Sequence, residues 1–342
     1  MARSRHQGPH LAAHPDLGRD PALSHRRAEA HDTLAQSCAT PDRLRYRLVM
    51  LGAGRCGAHA VVATDLDGTL LRSDGGLSPL TAETFQALSR SGVSIVLVTA
   101  RPFEATRTIA VGVGARTAIC LSGAVTYDVS SGTVLDKAPL GFRQIGMLRA
   151  EVSGVCEHVA CGYETMHGRH VDPSWDLRLR GLATERLTCL LQGHQPPGEC
   201  VLSVLLSCGL HQSACLETWA ATATTRWGAA FSPVSGIVEV TARSATKAAA
   251  LARLCHRNGV AASDVVACGD SLNDMTMIRW AGLGIAVASG HHQLRAVADL
   301  VADDNDADGI ARALADLYYS LLHDSSPTTS ASSRLHQIGA AI

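Results

Sequence analysis

The sequence predicts an α/β fold: a parallel sheet covered by helices on both faces, with a smaller α+β module inserted into it. Two observations carry this expectation. Fully apolar runs of strand length alternate with helical stretches near both ends of the chain. Between about 139 and 240 the alternation gives way to short segments of alternating polarity, such as "VLSVLLSC" and "GIVEVTA", separated by Gly/Pro-containing loops.

The elements follow in order. "AVVATDL" is a buried strand. "SPLTAETFQALSRSG" is a helix with Ser78 as N-cap, Pro79 in its first turn and Gly92 ending it. "VSIVLVTA" is a second strand, "PFEATRTIAVGVG" a second helix and "TAICLSG" a third strand. In the insert, "SACLETWAATATTRW" has helical period. After it come "KAAALARLCHRNG" (helix), "DVVACGDS" (strand), "LNDMTMIRWAG" (helix) and "LGIAVA" (strand). The expected division is therefore an N-terminal arm at 1–58, a core at 59–138 and 241–319, an insert at 139–240, and a flexible tail at 320–342. The arm is rich in Arg, His, Asp and Pro, and is expected to be disordered or to reflect a start codon placed too early.

Composition limits the function classes. The chain has 342 residues, with 30 Lys+Arg against 31 Asp+Glu, so net charge suggests neither a nucleic-acid nor an acidic-membrane partner. No apolar run is long enough to span a bilayer. The oligomeric state is left open. Eleven cysteines without regular spacing suggest small buried side chains rather than a disulfide framework, hence a reducing, cytoplasmic setting. Lysine occurs only at 137 and 247, which makes each lysine informative. Gly52, Gly54 and Gly57 have dinucleotide-binding spacing, but the next strand follows too soon for the required helix. The cluster Cys156, His158, Cys161, His167 and His170 matches no standard zinc spacing and is read as structural Cys and exposed His.

The chemistry converges from four places. "DLDGT" ends the first strand in Asp65 and Asp67. One carboxylate can attack phosphorus while the other moves protons, and Gly68 gives the bend that lets both approach one point. "VLVTAR" ends the second strand in Thr99, whose hydroxyl and neighbouring N–H groups can hold phosphoryl oxygens. Lys247 opens a helix after the insert, where a fixed ammonium can neutralise phosphoryl charge. "CGDSLNDM" ends a strand in Asp270, with Asn273 and Asp274 on the following turn. Few carboxylates completed by water and phosphate suit Mg²⁺. Singly, each has an ordinary reading: Thr99 as β-branched filler, Asn273 as a turn residue, Asp274 as a helix-start charge, and Arg101, before Pro102, as packing.

The set "DLDGT", "VTAR", "TK" and "GDSLND" resembles the haloacid-dehalogenase (HAD) phosphohydrolase superfamily, and within it the Cof-type subfamily with a C2 cap, over roughly residues 60 to 318. The resemblance implies a Rossmann-like parallel-sheet HAD core with an inserted α+β cap. It implies Asp65 as nucleophile and Mg²⁺ ligand. Asp67 would be general acid/base, with its carbonyl on the metal. Thr99 would bind phosphate, Lys247 would stabilise charge, and Asp270 would be a metal ligand supported by Asp274. Asn273, Ser122 and Gly123 fall near phosphate or substrate. Ala100 replaces the glycine usual in "TGR", Ser122 stands where Asn is common, and "AVASG" replaces "AMGNA"; these departures bear on substrate preference. The implied function is a Mg²⁺-dependent phosphatase of a small phosphorylated metabolite, a sugar phosphate or cofactor-like phosphate, acting through an aspartyl-phosphate. The alternatives are a phosphomutase or dedicated sugar-phosphate phosphatase of the same superfamily, or a non-catalytic binding protein on this scaffold.

Overall fold

A computed structural model describes residues 60–319, except 157, 173–174, 176–186, 190–199, 209–212 and 233–235. The expected arm, the glycine spacing at 52–57 and the tail lie outside the described residues.

The main sheet contains β1 (Val61–Thr64), β2 (Ser94–Val98), β3 (Thr117–Cys120), β4 (Val125–Asp128), β5 (Val134–Lys137), β12 (Val265–Gly269), β13 (Leu283–Val287) and β14 (Leu300–Ala302), in the order β14-β13-β12-β1-β2-β3-β4-β5. The strands from β14 to β3 are parallel. Alternate residues of β1 enter two different apolar clusters, which is why the strand reads as apolar throughout. Val62 lies with Phe85 and Leu88 of α1 (Pro79–Arg90) and with Ile310 and Leu314 of α8 (Gly309–Leu317). Val61 and Ala63 lie with Ala250, Leu251 and Leu254 of α5 (Lys247–Arg257) and Met277 and Ile278 of α6 (Met275–Trp280). α2 (Phe103–Gly112) joins β2 to β3, and α7 (His292–Val297) joins β13 to β14. β1 sits between β2 and β12, so the chain departs from it in both directions. Such a reversal opens a crevice at the strands' carboxyl ends.

The sheet is not wholly parallel, as the sequence reading supposed. β4 and β5 form an antiparallel hairpin on its edge. Its turn is tight: the Gly132 N–H donates to the Asp128 carbonyl at 2.9 Å and the Ser131 N–H to Asp128 Oδ1 at 2.8 Å. A turn this short can only return the chain antiparallel.

The second sheet has the order β10-β11-β9-β6-β7-β8. It is built from β6 (Ala160–Thr165), β7 (Gly168–Val171), β8 (Leu187–Cys189), β9 (Val201–Ser207), β10 (Trp227–Ser232) and β11 (Ile237–Ala242), antiparallel except for β7 with β8. Leu148 and Val152 of α3 (Phe142–Ser153) and Leu216 and Trp219 of α4 (Ser213–Ala223) share an apolar cluster with Val204 and Val240 of this sheet. The expected insert boundary at 240 falls inside β11, where Thr241 still pairs with Ser203. The pattern "VEVTA" runs on without a break, so nothing in it marks the end.

Cysteine chemistry also departs from expectation. Cys156 and Cys215 form a disulfide across 59 residues. Their sequence spacing carries no signal, because the pair is brought together by two helices packing on one sheet face. Cys156 thus leaves the grouping of neighbouring Cys and His that the sequence suggested. Among the described residues, no helix is long and apolar enough to cross a membrane.

Candidate active site

Asp65 follows β1 and is buried. Its N–H donates to the Cys268 carbonyl of β12 at 3.0 Å, so the strand pairing fixes its place. The chain then turns through Gly68 at φ +75°. A Cβ on Gly68 would stand 2.5 Å from Asp270 Oδ2, so only glycine lets the Asp270 carboxylate lie against this turn.

Lys247 is the first residue of α5, behind Thr246, whose hydroxyl caps the helix by accepting from the Ala249 N–H at 3.1 Å. An ammonium is unfavourable at a helix N-terminus. Here two carboxylates offset that cost: Lys247 Nζ donates to Asp65 Oδ1 at 2.6 Å and to Asp274 Oδ1 at 2.7 Å. Lys247 is 2% exposed and Asp274 is fully buried. The other Asp274 oxygen accepts from the N–H groups of Asp270 and Ser271 and from the Ser271 hydroxyl, at 3.0–3.2 Å. Asp274 therefore holds both the lysine and the loop that presents Asp270.

Carboxylate oxygens of Asp65, Asp270 and Asp274 all lie within 4.8 Å of one another. Burial pushes Asp65 up to about 7, with Asp274 and Asp270 adding to it and Lys247 opposing. Burial and Asp274 push Asp270 up to about 6. Burial opposes the Lys247 charge, but Asp274 and Asp65 overcome it and hold the ammonium above its ordinary value. Three acids facing one ammonium leave excess negative charge. Hard carboxylate oxygens so close together fit a divalent cation such as Mg²⁺.

Asp67 stands apart from this group. Its carboxylate is exposed and gripped by Arg101, which donates from Nε at 2.9 Å and from Nη2 at 2.5 Å. Arg101, whose ordinary reading was packing, is thus a fork on the second acid of the motif. Thr99 is buried at the end of β2, and its Oγ1 accepts from the Arg101 N–H at 3.1 Å. Its carbonyl accepts from the Ser122 N–H at 3.0 Å, which ties the two loops. Ser122 has φ 54° in the 3₁₀ turn after β3. Gly123, at φ +105°, lies so close to α5 that a Cβ would stand 2.4 Å from the Thr246 carbonyl. It is the contact surface for the helix that carries Lys247.

The sequence reading gave Glu239 of β11 no role. Its Oε2 accepts from the Ser122 hydroxyl at 2.6 Å, and Asn273 Nδ2 reaches the same hydroxyl at 3.4 Å. Burial pushes Glu239 up to about 7. On the same sheet, Glu164 and Arg169 form a mostly buried ion pair. The available signal was one acid in the apolar run "IVEVTA", where a solvated strand face would hold several polar residues.

A profile of haloacid dehalogenase-like hydrolases matches residues 62–151 and 201–314. Over 275 residues the chain is 26% identical to a 5-amino-6-(5-phospho-D-ribitylamino)uracil phosphatase of Bacillus subtilis, covering 76% of this chain and 98% of that one. It is also 26% identical to a pyridoxal phosphate phosphatase of Escherichia coli, covering 74% and 96%. A second B. subtilis phosphatase named for the ribitylaminouracil phosphate is 43% identical, but over 77 residues that span 31% of its length. A haloacid dehalogenase-like hydrolase from Bacteroides thetaiotaomicron superposes with TM-score 0.63 at 22% identity, covering 74% of this chain and 97% of that one. A sugar phosphatase of HAD subclass IIB superposes at 0.64 with 18% identity, covering 76% and 99%. Likeness at these identities speaks to the fold.

Proposed function

Because the chain belongs to the haloacid dehalogenase-like hydrolases and is a phosphatase of that family, we propose that it hydrolyses a small phosphorylated metabolite through an aspartyl-phosphate at Asp65. The observation that carries this reading is the buried Lys247 ammonium shared between Asp65 and Asp274, with the Asp270 carboxylate against the Gly68 turn. Asp65 Oδ1 is held by the lysine, which fixes the carboxylate for attack and offsets charge as the phosphoryl group arrives. Asp67 takes the proton role: it protonates the leaving oxygen, then deprotonates the attacking water. Its Arg101 partner keeps the carboxylate at the rim until substrate displaces it. Thr99 and the turn at Ser122 and Gly123 hold phosphoryl oxygens, and Asn273 supports them.

Asp65 and Asp270, with the Asp67 carbonyl and support from Asp274, would hold Mg²⁺. When bound, the ion neutralises phosphoryl charge and orients the reacting groups. The second sheet acts as a cap that excludes water and reads the leaving group. The substrate is a sugar phosphate or a cofactor-like phosphate; the names of the full-length relatives, a ribitylaminouracil phosphate phosphatase and a pyridoxal phosphate phosphatase, support that class.

The test is phosphate release from a panel of such metabolites, with Mg²⁺ and with EDTA, by wild type and Asp65→Asn. Release that needs the metal and falls about 1,000-fold or more in the variant is expected. Undiminished turnover by a clean Asp65→Asn preparation would remove Asp65 as nucleophile.

A further inference from the structure

Three sulfurs meet at one end of the cap, in a cluster that the phosphatase reading does not use. Cys156 closes the turn after α3, its N–H donating to the Val152 carbonyl at 3.0 Å. Cys215 lies in the first turn of α4, and Cys208 follows the last residue of β9. The disulfide joins Cys156 to Cys215. Cys208 Sγ stands 3.8 Å from Cys215 Sγ, and all three sulfur atoms lie within 4.8 Å of one another. A structural disulfide accounts for two of them. The third, from a separate element, stands beside them within reach of a shared cation.

The spacing suits a soft cation. Tetrahedral Zn²⁺ with Zn–S bonds of about 2.3 Å sets neighbouring thiolates about 3.8 Å apart. Cys208 and Cys215 already stand at that separation. Reduction would part Cys156 from Cys215 toward the same distance, because two thiols cannot remain at bonding range. Cys156 is buried while Cys208 and Cys215 are partly exposed, so the cluster has a floor and an opening.

We propose that Cys156, Cys208 and Cys215 form a redox-gated thiolate site for a soft cation of the Zn²⁺ class, open when reduced and closed by the Cys156–Cys215 disulfide. The exchange balances. A dithiol gives two electrons and two protons to the disulfide and leaves as its own disulfide. The three thiols then lose three protons as they bind the cation. In reverse, a disulfide oxidant takes two electrons from Cys156 and Cys215, their S–S bond re-forms, and the cation leaves. None of this depends on the phosphatase reading, and its failure would leave that reading intact.

The experiment uses the full chain, reduced with dithiothreitol, desalted without oxygen and saturated with Mg²⁺ to fill the acidic site. Zn²⁺ alone is titrated against a chromophoric chelator. The reduced wild type should hold one more equivalent of Zn²⁺ than the disulfide form. Cys208→Ser should bind that equivalent about tenfold or more weakly. This variant keeps the disulfide, so its fold can be checked in the oxidised state by its melting temperature. Cys161→Ser, which removes a buried thiol of β6 outside the cluster, should retain the equivalent. Co²⁺ in place of Zn²⁺ should give a thiolate charge-transfer band that Cys208→Ser loses. Equal Zn²⁺ uptake by the reduced and disulfide forms, or by wild type and Cys208→Ser, overturns the proposal, as does loss of the equivalent in Cys161→Ser.

Discussion

The Ser122 hydroxyl donates to Glu239 at 2.6 Å, and this hydrogen bond joins the loop after β3 in the core to strand β11 in the cap. A half-buried acid at that junction carries a desolvation cost that a polar group of the substrate could offset. If it reads a hydroxyl or amine of the leaving group, Glu239→Gln should raise KM for the preferred metabolite about tenfold. The kcat for p-nitrophenyl phosphate, which offers no such group, should barely change. Steady-state kinetics on both substrates decides it: equal losses on the two would make Glu239 a structural brace.

Removing the ammonium should be worse than removing a typical surface lysine. Lys247→Met leaves Asp65 and Asp274 buried with their shared partner gone. An uncompensated buried charge costs about 3–5 kcal/mol, so the metal-free variant should unfold at markedly lower urea. Activity should fall about 100-fold or more. Lys247→Arg should not rescue it, because the wider planar guanidinium does not fit a point between two carboxylates. Wild-type kinetics from Lys247→Arg would contradict the tight geometry.

Three acids whose protons are held by desolvation give a pH signature. Asp65 and Glu239 are pushed up to about 7 and Asp270 to about 6, from ordinary values of 3.8 to 4.5. Between those limits the folded protein holds protons that the unfolded chain has released. The stability they contribute is complete below about pH 4 and is lost as pH rises through 6 to 7. In EDTA the melting temperature should therefore be lower at about pH 8 than at about pH 5.5. Mg²⁺ should restore it at the higher pH and do little at the lower. Asp270→Asn should flatten both effects. A metal-free melting temperature that climbs from pH 5.5 to 8 would show that these groups do not govern stability.

Gly123→Ala should damage the site through packing. The new methyl would meet the Thr246 carbonyl at 2.4 Å, in a backbone conformation that L residues avoid. Since α5 must retreat, Lys247 withdraws from Asp65. A loss of about 2 kcal/mol in stability should accompany a fall in kcat. A small stability change with intact kcat would mean that the loop, not the helix, gives way.

What the sequence made legible was whatever depends on local pattern. The apolar strands, the Ser78 cap and the acids at 65, 270 and 274 fall where period and spacing put them. What it hid depends on meetings between distant segments. Glu239 gains its partner only when β11 swings over the loop at Ser122. Cys156 and Cys215 meet because α3 and α4 share a sheet face. Arg101 was visible, but its grip on Asp67 needs the ends of β1 and β2 side by side. Motif reading names residues more readily than it says which way a side chain is turned, and Asp67 is the example.

The place of β1 has a consequence for synthesis. Its partner on one side, β2, leaves the ribosome soon after it; the other, β12, follows only once the whole cap has been made. At roughly 5–20 residues per second, that is about 10–40 s during which β1 is an edge strand, its row of N–H and C=O groups open to any neighbouring chain. The nascent protein is most exposed to aggregation through the very strand that later leads into the buried Asp65.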